Sequence, residues 1–271
     1  MENTKHILKT NHLYGGYDGK QVLKDINITI PDGKISVILG ANACGKSTLL
    51  KTMTRILQPD KGSVTLDGTD IRKFPSKKLA CQLGLLPQTP VVPEGVTVSD
   101  LVFRGRYPHK KMFEGTTKKD LEAVTEAMEI MNIVDLADRS ISELSGGQRQ
   151  RAWIATALAQ DTDILFLDEP TTYLDVNYQV EILDLMADLN ERKHTTIVMV
   201  LHDINLSVRY ADYLFAMKEG KIIKEGTPED VISEALIEEV FGLKSKVIKD
   251  PVSSAPYAIP VGRHFSSPDV Q

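Results

Sequence analysis

Lys34-Ile35-Ser36-Val37-Ile38-Leu39 runs directly into Gly40-Ala41-Asn42-Ala43-Cys44-Gly45-Lys46-Ser47. The first stretch is a short apolar run of the kind a buried strand uses. Beyond the second, Leu49, Leu50, Met53, Ile56 and Leu57 recur at helical spacing. A strand, a glycine-bounded loop and an amphipathic helix in that order make a phosphate-binding loop. Polyphosphate concentrates negative charge, and a helix N-terminus offers unpaired N–H groups and the positive end of a dipole. Gly40 and Gly45 let the loop curl, so that the amides across Ala41, Asn42, Ala43 and Cys44 point inward as an anion nest. Lys46 is expected to reach the β and γ phosphates, Ser47 to ligate Mg2+ through its hydroxyl, and Thr48 to add a further phosphate contact.

Outward from this loop the pattern is α/β. Ile26, Ile28 and Ile30 alternate with Asn27 and Thr29 ahead of the turn Pro31-Asp32-Gly33, so the first 30 residues read as strand-rich. Ser63–Leu66 is another short strand, between Gly62 and Gly68. From Gln88 to about Asp161 the periodicity turns helical. Thr117 and Asp120 have capping-box spacing, Leu121, Val124, Met128 and Met131 form one apolar face, and Ser145 is a plausible N-cap for a helix through Trp153, Ile154 and Leu158. Ile164–Leu167 and Thr196–Leu201 read as buried strands flanking a helix that carries Val180, Leu183 and Met186. Lys218-Glu219-Gly220 is a hairpin turn. The expected architecture is an α/β core built around the phosphate loop over 1–243, with an antiparallel β part and a helical insert at about 89–161. Residues 244–271, with Pro251, Pro256, Pro260 and Pro268, are expected to form an extended tail packed on the core and frayed at its end.

Two further motifs flank the insert. Strand Ile164–Leu167 ends in Asp168-Glu169-Pro170, and open α/β sheets bind ligands beyond the carboxyl ends of their strands. His202 follows the strand Thr196–Leu201 and belongs at the same edge. Between the phosphate loop and the acids lies Leu144-Ser145-Gly146-Gly147-Gln148. The order of these three motifs resembles the ATP-binding-cassette (ABC) ATPases.

The resemblance implies roles. Asp168 resembles the acid that orients the Mg2+ shell, and Glu169 the carboxylate that polarises the attacking water. His202 resembles the switch histidine that contacts the γ-phosphate. Gln88 resembles the glutamine that senses Mg2+ and γ-phosphate and hinges the insert. Tyr17 resembles the aromatic that stacks on adenine, with Tyr14 a nearby competitor. Ser145, Gly146, Gly147 and Gln148 resemble the segment that closes in trans over ATP held by the opposite subunit of a head-to-tail homodimer. Thr172-Tyr173-Leu174-Asp175 occupies the place of the family's D-loop, with Asp175 matching and Tyr173 departing from it.

Within the phosphate loop, Ala41 and Ala43 stand where the family commonly has Pro and Gly. Ala43 is expected to keep a conventional negative φ. Cys44 reads first as a small packing residue. Its place at a helix N-terminus also raises the expectation of a reactive thiolate that Mg-ATP would protect.

Composition narrows the setting. A net charge of −5 gives no support for broad nucleic-acid binding. No apolar run approaches the roughly 20 residues of a bilayer-crossing helix, and Met1–His6 lacks the apolar core of a secretory signal. Cys44 and Cys81 are too few for a disulfide framework and suit a reducing compartment. The segment Val96–His109 and Pro170-Thr171-Thr172-Tyr173-Leu174-Asp175 are similar to the ATPase subunits of bacterial iron-siderophore importers, a group that resembles cobalamin and haem import ATPases. Val96–His109 lies where such ATPases dock a permease, and otherwise reads as insert core plus a basic surface loop. The implied partners are a second ATPase subunit, an integral permease and, indirectly, an extracytoplasmic substrate-binding protein. The implied place is the cytoplasmic face of the cell membrane. A soluble ABC ATPase of DNA repair or translation, and a module that holds ATP without cleaving it, remain the rival readings.

Overall fold

The computed structural model describes residues 6–88, 95–111, 115–172 and 174–262. Its centre is a six-stranded sheet in the order Lys221–Gly226, Tyr213–Lys218, Ile35–Gly40, Thr196–Val200, Ile164–Asp168, Leu83–Leu86. All neighbours run parallel except the edge strand Lys221–Gly226, which returns antiparallel through the Glu219-Gly220 turn. Both turn residues have positive φ, the requirement of the tight hairpin anticipated there.

The apolar strands are buried on both faces. Within Ile35–Gly40 the side chains divide by alternation. Val37 and Leu39 join a core that includes the helices Val98–Phe103, Lys118–Ile130, Gly146–Ala159 and Val176–Lys193. Ile38 faces the opposite core, where Leu49, Leu50 and Met53 of helix Lys46–Met53 meet an antiparallel sheet. That second sheet pairs Lys20–Ile26, Leu8–Tyr17, Lys61–Leu66 and Thr69–Asp70 in order, with Thr29–Ile30 added against Leu8–Tyr17. The helix of the phosphate loop is thus held between two sheets.

In the insert, Thr117 and Asp120 complete a reciprocal capping box for helix Lys118–Ile130. Val124, Met128 and Met131 are buried as their spacing demands, whereas Leu121 points to solvent with 54% exposure. Leu121 lies in the first turn, on the rim of the apolar face.

Arg106 departs further from expectation. It belongs to the basic segment read as a surface loop, yet it is 1% exposed. Its Nε donates to Asp120 at 3.0 Å and its Nη1 to the Ala159 carbonyl at 2.8 Å. One guanidinium therefore ties the start of one helix to the end of helix Gly146–Ala159, where a cation also complements the dipole.

Residues 244–262 form a hairpin, Ser245–Lys249 against Pro256–Pro260, more ordered than the tail expected from its prolines. Pro256 and Pro260 sit at the two ends of their strand, paired with Lys249 and Ser245, so the ladder between them loses no donor. The expected fraying of the extreme C-terminus falls on 263–271, outside the described residues.

Arg106→Ala should destabilise the fold by about 3–5 kcal/mol, because it strands a buried carboxylate. Replacing both partners, as Arg106→Met with Asp120→Leu, should cost less than either single change. Burial alone would push Asp120 up, but the Thr117 hydroxyl and amide and the Arg106 guanidinium hold it down to about 2. Its contribution is then present above the ordinary carboxylate range near pH 4 and lost as pH falls towards 2. Urea midpoints measured across that range check both statements.

Candidate functional site

Strand register decides which residues meet. Ile38 lies level with Val200, Val200 with Asp168, and Leu167 with Leu86. The chain therefore leaves four adjacent strands at one edge, carrying the phosphate loop, Glu169, His202 and Gln88 to the same place. A cavity of about 370 Å³ opens there, lined by Tyr17, Asn42, Ala43, Gly45, Lys46, Ser47, Thr48, Glu169 and His202, together with Lys20 and Val22.

The loop wall is built for an anion. Helix Lys46–Met53 has no side-chain cap and no acidic residue in its first turn, so its leading N–H groups are left for a ligand. Gly45 has φ +112° and serves as the N-cap. Ala43 takes φ +60°, contrary to the expectation of a conventional angle. Turning the loop amides inward outweighs the roughly 1–2 kcal/mol that an L-residue loses there. Gly40 is fixed by close approach, since a Cβ on it would lie 2.3 Å from the Met217 carbonyl oxygen. The Gly220 amide donates to the Cys44 carbonyl at 2.9 Å, so the hairpin turn braces the loop from outside.

Lys46 is buried, and its Nζ donates to the carbonyls of Gly40 at 2.8 Å and Ala41 at 2.9 Å. Ser47 donates through its hydroxyl to Asp168 at 2.9 Å. Asp168 is 2% exposed, and burial pushes its carboxyl up, followed by the nearby charge of Glu169; the Ser47 hydroxyl and Lys51 and Lys46 pull the other way. A buried carboxylate beside a hydroxyl at a phosphate loop is a hard-oxygen donor set suited to Mg2+.

Glu169 sits in a cradle. The Gln88 amide donates to Oε2 at 2.6 Å, the Thr172 hydroxyl donates to the same oxygen at 3.0 Å, and His202 Nε2 lies 2.7 Å from Oε1. A carboxylate only accepts, so Nε2 carries the proton. Glu169 has φ +56°, an unfavourable backbone position held by its surroundings. Gln88 thus touches Glu169 rather than the Ser47–Asp168 pair.

Among the described residues, Ser145, Gly146, Gly147 and Gln148 do not line the cavity. They form a separate capping box, the Ser145 hydroxyl accepting from the Gln148 amide and Gln148 Oε1 accepting from the Ser145 amide. Asp175 begins helix Val176–Lys193, while Tyr173 lies outside the described residues. Tyr17, at 44% exposure, reaches the cavity; Tyr14 does not line it.

Three contributors were not anticipated. Lys20 pairs across from Tyr17 through the Asp18-Gly19 turn, and Val22 follows in the same strand. Asp-Gly is a strong hairpin signal and was available in the sequence. Thr172, three residues past Glu169, left no comparable sign.

A buried anion nest with a lysine, a serine–aspartate pair and a second acid at the carboxyl edge of a parallel sheet defines a phosphate-loop nucleotide-binding protein. The family model described as ABC transporter matches residues 23–172. The "Probable siderophore transport system ATP-binding protein" of Bacillus subtilis (strain 168) is 50% identical over 256 residues, 94% of this chain and 93% of that protein. The "Ferric enterobactin transport ATP-binding protein" of Escherichia coli (strain K12) is 47% identical over 94% of each. Among solved structures, an ABC transporter of the metal-chelate type in an inward-facing conformation superposes with a TM-score of 0.81 at 27% identity, covering 95% of this chain and 98% of that one. A bacterial ABC transporter cassette solved as a dimer gives 0.71 at 26% identity, covering 81% and 98%. The chain belongs to the ABC transporter ATP-binding family and is an ATPase.

Cys44 is buried, and burial pushes its thiol up, outweighing the lysine and amides near it. Both observations favour the packing reading over a reactive thiolate. Iodoacetamide should label the half-buried Cys81 well before Cys44, as read by peptide mass spectrometry, and Cys44 labelling should follow global unfolding in urea.

Proposed function

We propose that the chain is the ATP-hydrolysing subunit of a bacterial importer of iron-siderophore complexes, working as a head-to-tail homodimer beneath an integral permease. The observation that carries the catalytic part is the Glu169 carboxylate, held by Gln88 and His202 beside the phosphate loop. The cargo rests on the relatives, whose names specify siderophore and ferric enterobactin transport.

In this reading the triphosphate lies across the amides of Gly40, Ala41, Asn42, Ala43, Cys44, Gly45, Lys46, Ser47 and Thr48, and Tyr17 stacks on adenine. Lys46 exchanges its loop carbonyls for β and γ phosphate oxygens, a stronger charge-assisted pair. Ser47 and Asp168, with Gln88 at longer reach, would hold Mg2+, which supplies charge neutralisation on the phosphates. Glu169 orients the attacking water and draws off its proton. His202 steadies that arrangement and contacts the γ-phosphate, so ADP and phosphate leave from a fixed geometry.

The cap for the γ-phosphate comes from the other subunit. Ser145, Gly146, Gly147 and Gln148 stand at the N-terminus of helix Gly146–Ala159, where close backbone approach and the helix dipole suit an anion. They lie apart from their own chain's cavity, so a second copy is needed to close it. Nucleotide binding then favours the closed pair and hydrolysis releases it. No helix among the described residues is long and apolar enough to cross a membrane. The permease therefore supplies the path, with the chain on its cytoplasmic face and a substrate-binding protein engaged only through the permease.

Glu169→Gln should bind ATP, hydrolyse it roughly 10²–10⁴-fold more slowly, and accumulate as a closed dimer on size exclusion with ATP. Near-normal phosphate release from that variant would reject the role given to Glu169. Purification of the tagged chain from solubilised membranes should recover an integral permease encoded beside a substrate-binding protein. Recovery only in the soluble fraction, with ribosomes or repair factors, would overturn transport and leave the ATPase intact.

A further inference from the structure

His202, one arm of the Glu169 cradle, stands close in sequence to residues that the far end of the chain contacts. It is followed at once by the short helix Ile204–Tyr210, which Asp203 caps through its carboxylate, accepting from the Leu206 amide at 2.8 Å. Seven residues are too few to hold an orientation on their own. External contacts must fix this helix.

Val208 packs in the large core, and hydrogen bonds come from two sides. Tyr210 donates through its hydroxyl to Asp184 at 2.7 Å, which ties the helix end to helix Val176–Lys193. Among the described residues, the other side-chain hydrogen bonds from this helix to another element go to the C-terminal hairpin. Asn205, three residues after His202, donates its Nδ2 to the Ala258 carbonyl at 3.1 Å and accepts the Ala258 amide on Oδ1 at 2.8 Å. A carboxamide that matches both polar groups of one residue acts like a single rung of β-ladder. Arg209 adds a charged contact to Asp250 at 3.3 Å. Asp250 is itself set by the Val252 amide at 2.9 Å and the Ser253 hydroxyl at 2.7 Å. Ala258 is buried in the large core, so the rung rests on a fixed base.

We propose that Asn205 is a positioning residue for hydrolysis: through its paired hydrogen bonds to Ala258, the hairpin 244–262 sets where His202 meets Glu169. The hairpin is then a working part of the ATPase and not an appendage. The proposal rests on the role assigned to His202 above. It explains why Asn205 spends both halves of its amide on one backbone residue and none on its own helix.

The test is a double-mutant cycle in the full-length chain. Asn205→Ala should lower kcat by roughly tenfold or more, since small displacements of a reacting group are costly. ATP affinity, measured with a fluorescent ATP analogue, should stay within about twofold because Asn205 does not line the cavity. In a His202→Ala background the same substitution should cost nothing further, as expected for residues acting through one interaction. Asn205→Asp, which keeps the acceptor for the Ala258 amide but sets a carboxylate against its carbonyl, should fall between wild type and Asn205→Ala. It also replaces Asn205→Ala in the cycle if that protein is insoluble.

Unchanged kcat in both Asn205 variants overturns the proposal. So does a loss of equal size with and without His202, which would mean that the contact is only structural. If His202→Ala itself keeps full activity, the role of His202 falls and the proposal falls with it. That result is recognisable from the single variant alone.

Discussion

The level register of the parallel strands is the constraint on which everything else depends. Ile38, Val200 and Asp168 are neighbours in one row, with Leu167 and Leu86 beside them. A slip of one residue would invert the faces of the slipped strand, burying what should face the cavity. The two cores guard against it, because alternating residues of Ile35–Gly40 are committed to opposite sides. Packing thus specifies chemistry here: the apolar alternation aligns the strand ends, and the polar residues just beyond those ends meet as a consequence.

Once aligned, the site is defended by close contacts that do not belong to it. Met217 and Gly220 carry no nucleotide chemistry, yet the first leaves room only for glycine at position 40 and the second holds the Cys44 carbonyl. On the insert side, Arg106 joins the end of helix Gly146–Ala159 to the start of helix Lys118–Ile130. The capped N-terminus of that first helix lies at its other end, so the insert presents Ser145–Gln148 from a stiff support. Both devices turn loops, usually the mobile parts of a fold, into parts with fixed coordinates.

Much of this was legible in the sequence because period and spacing report local physics. The helix after the phosphate loop, the capping box at Thr117, the N-cap at Ser145 and the turn at Glu219-Gly220 each follow from residues within a few positions of one another. What escaped depends on distant partners. Arg106 reads as surface because charge favours water; only Asp120 and the Ala159 carbonyl, met in three dimensions, make burial tolerable. Ala43 was judged by its own preference, and the demands of the loop outweighed it. The prolines after 250 hid a hairpin because their harmlessness depends on standing at strand ends, a matter of pairing. Glu169 and His202 could be placed at one edge, but their contact with each other and with Gln88 could not be read from one dimension.

Lys46 shows how a buried charge can be housed within a loop. An ammonium group buried with no polar partner would be costly. By resting on the carbonyls of Gly40 and Ala41, it finds neutral partners inside the loop it serves. The loop therefore satisfies its own cation through its backbone. Two backbone oxygens thus aim the charge, so any displacement of the strand end at Gly40 would carry the lysine with it.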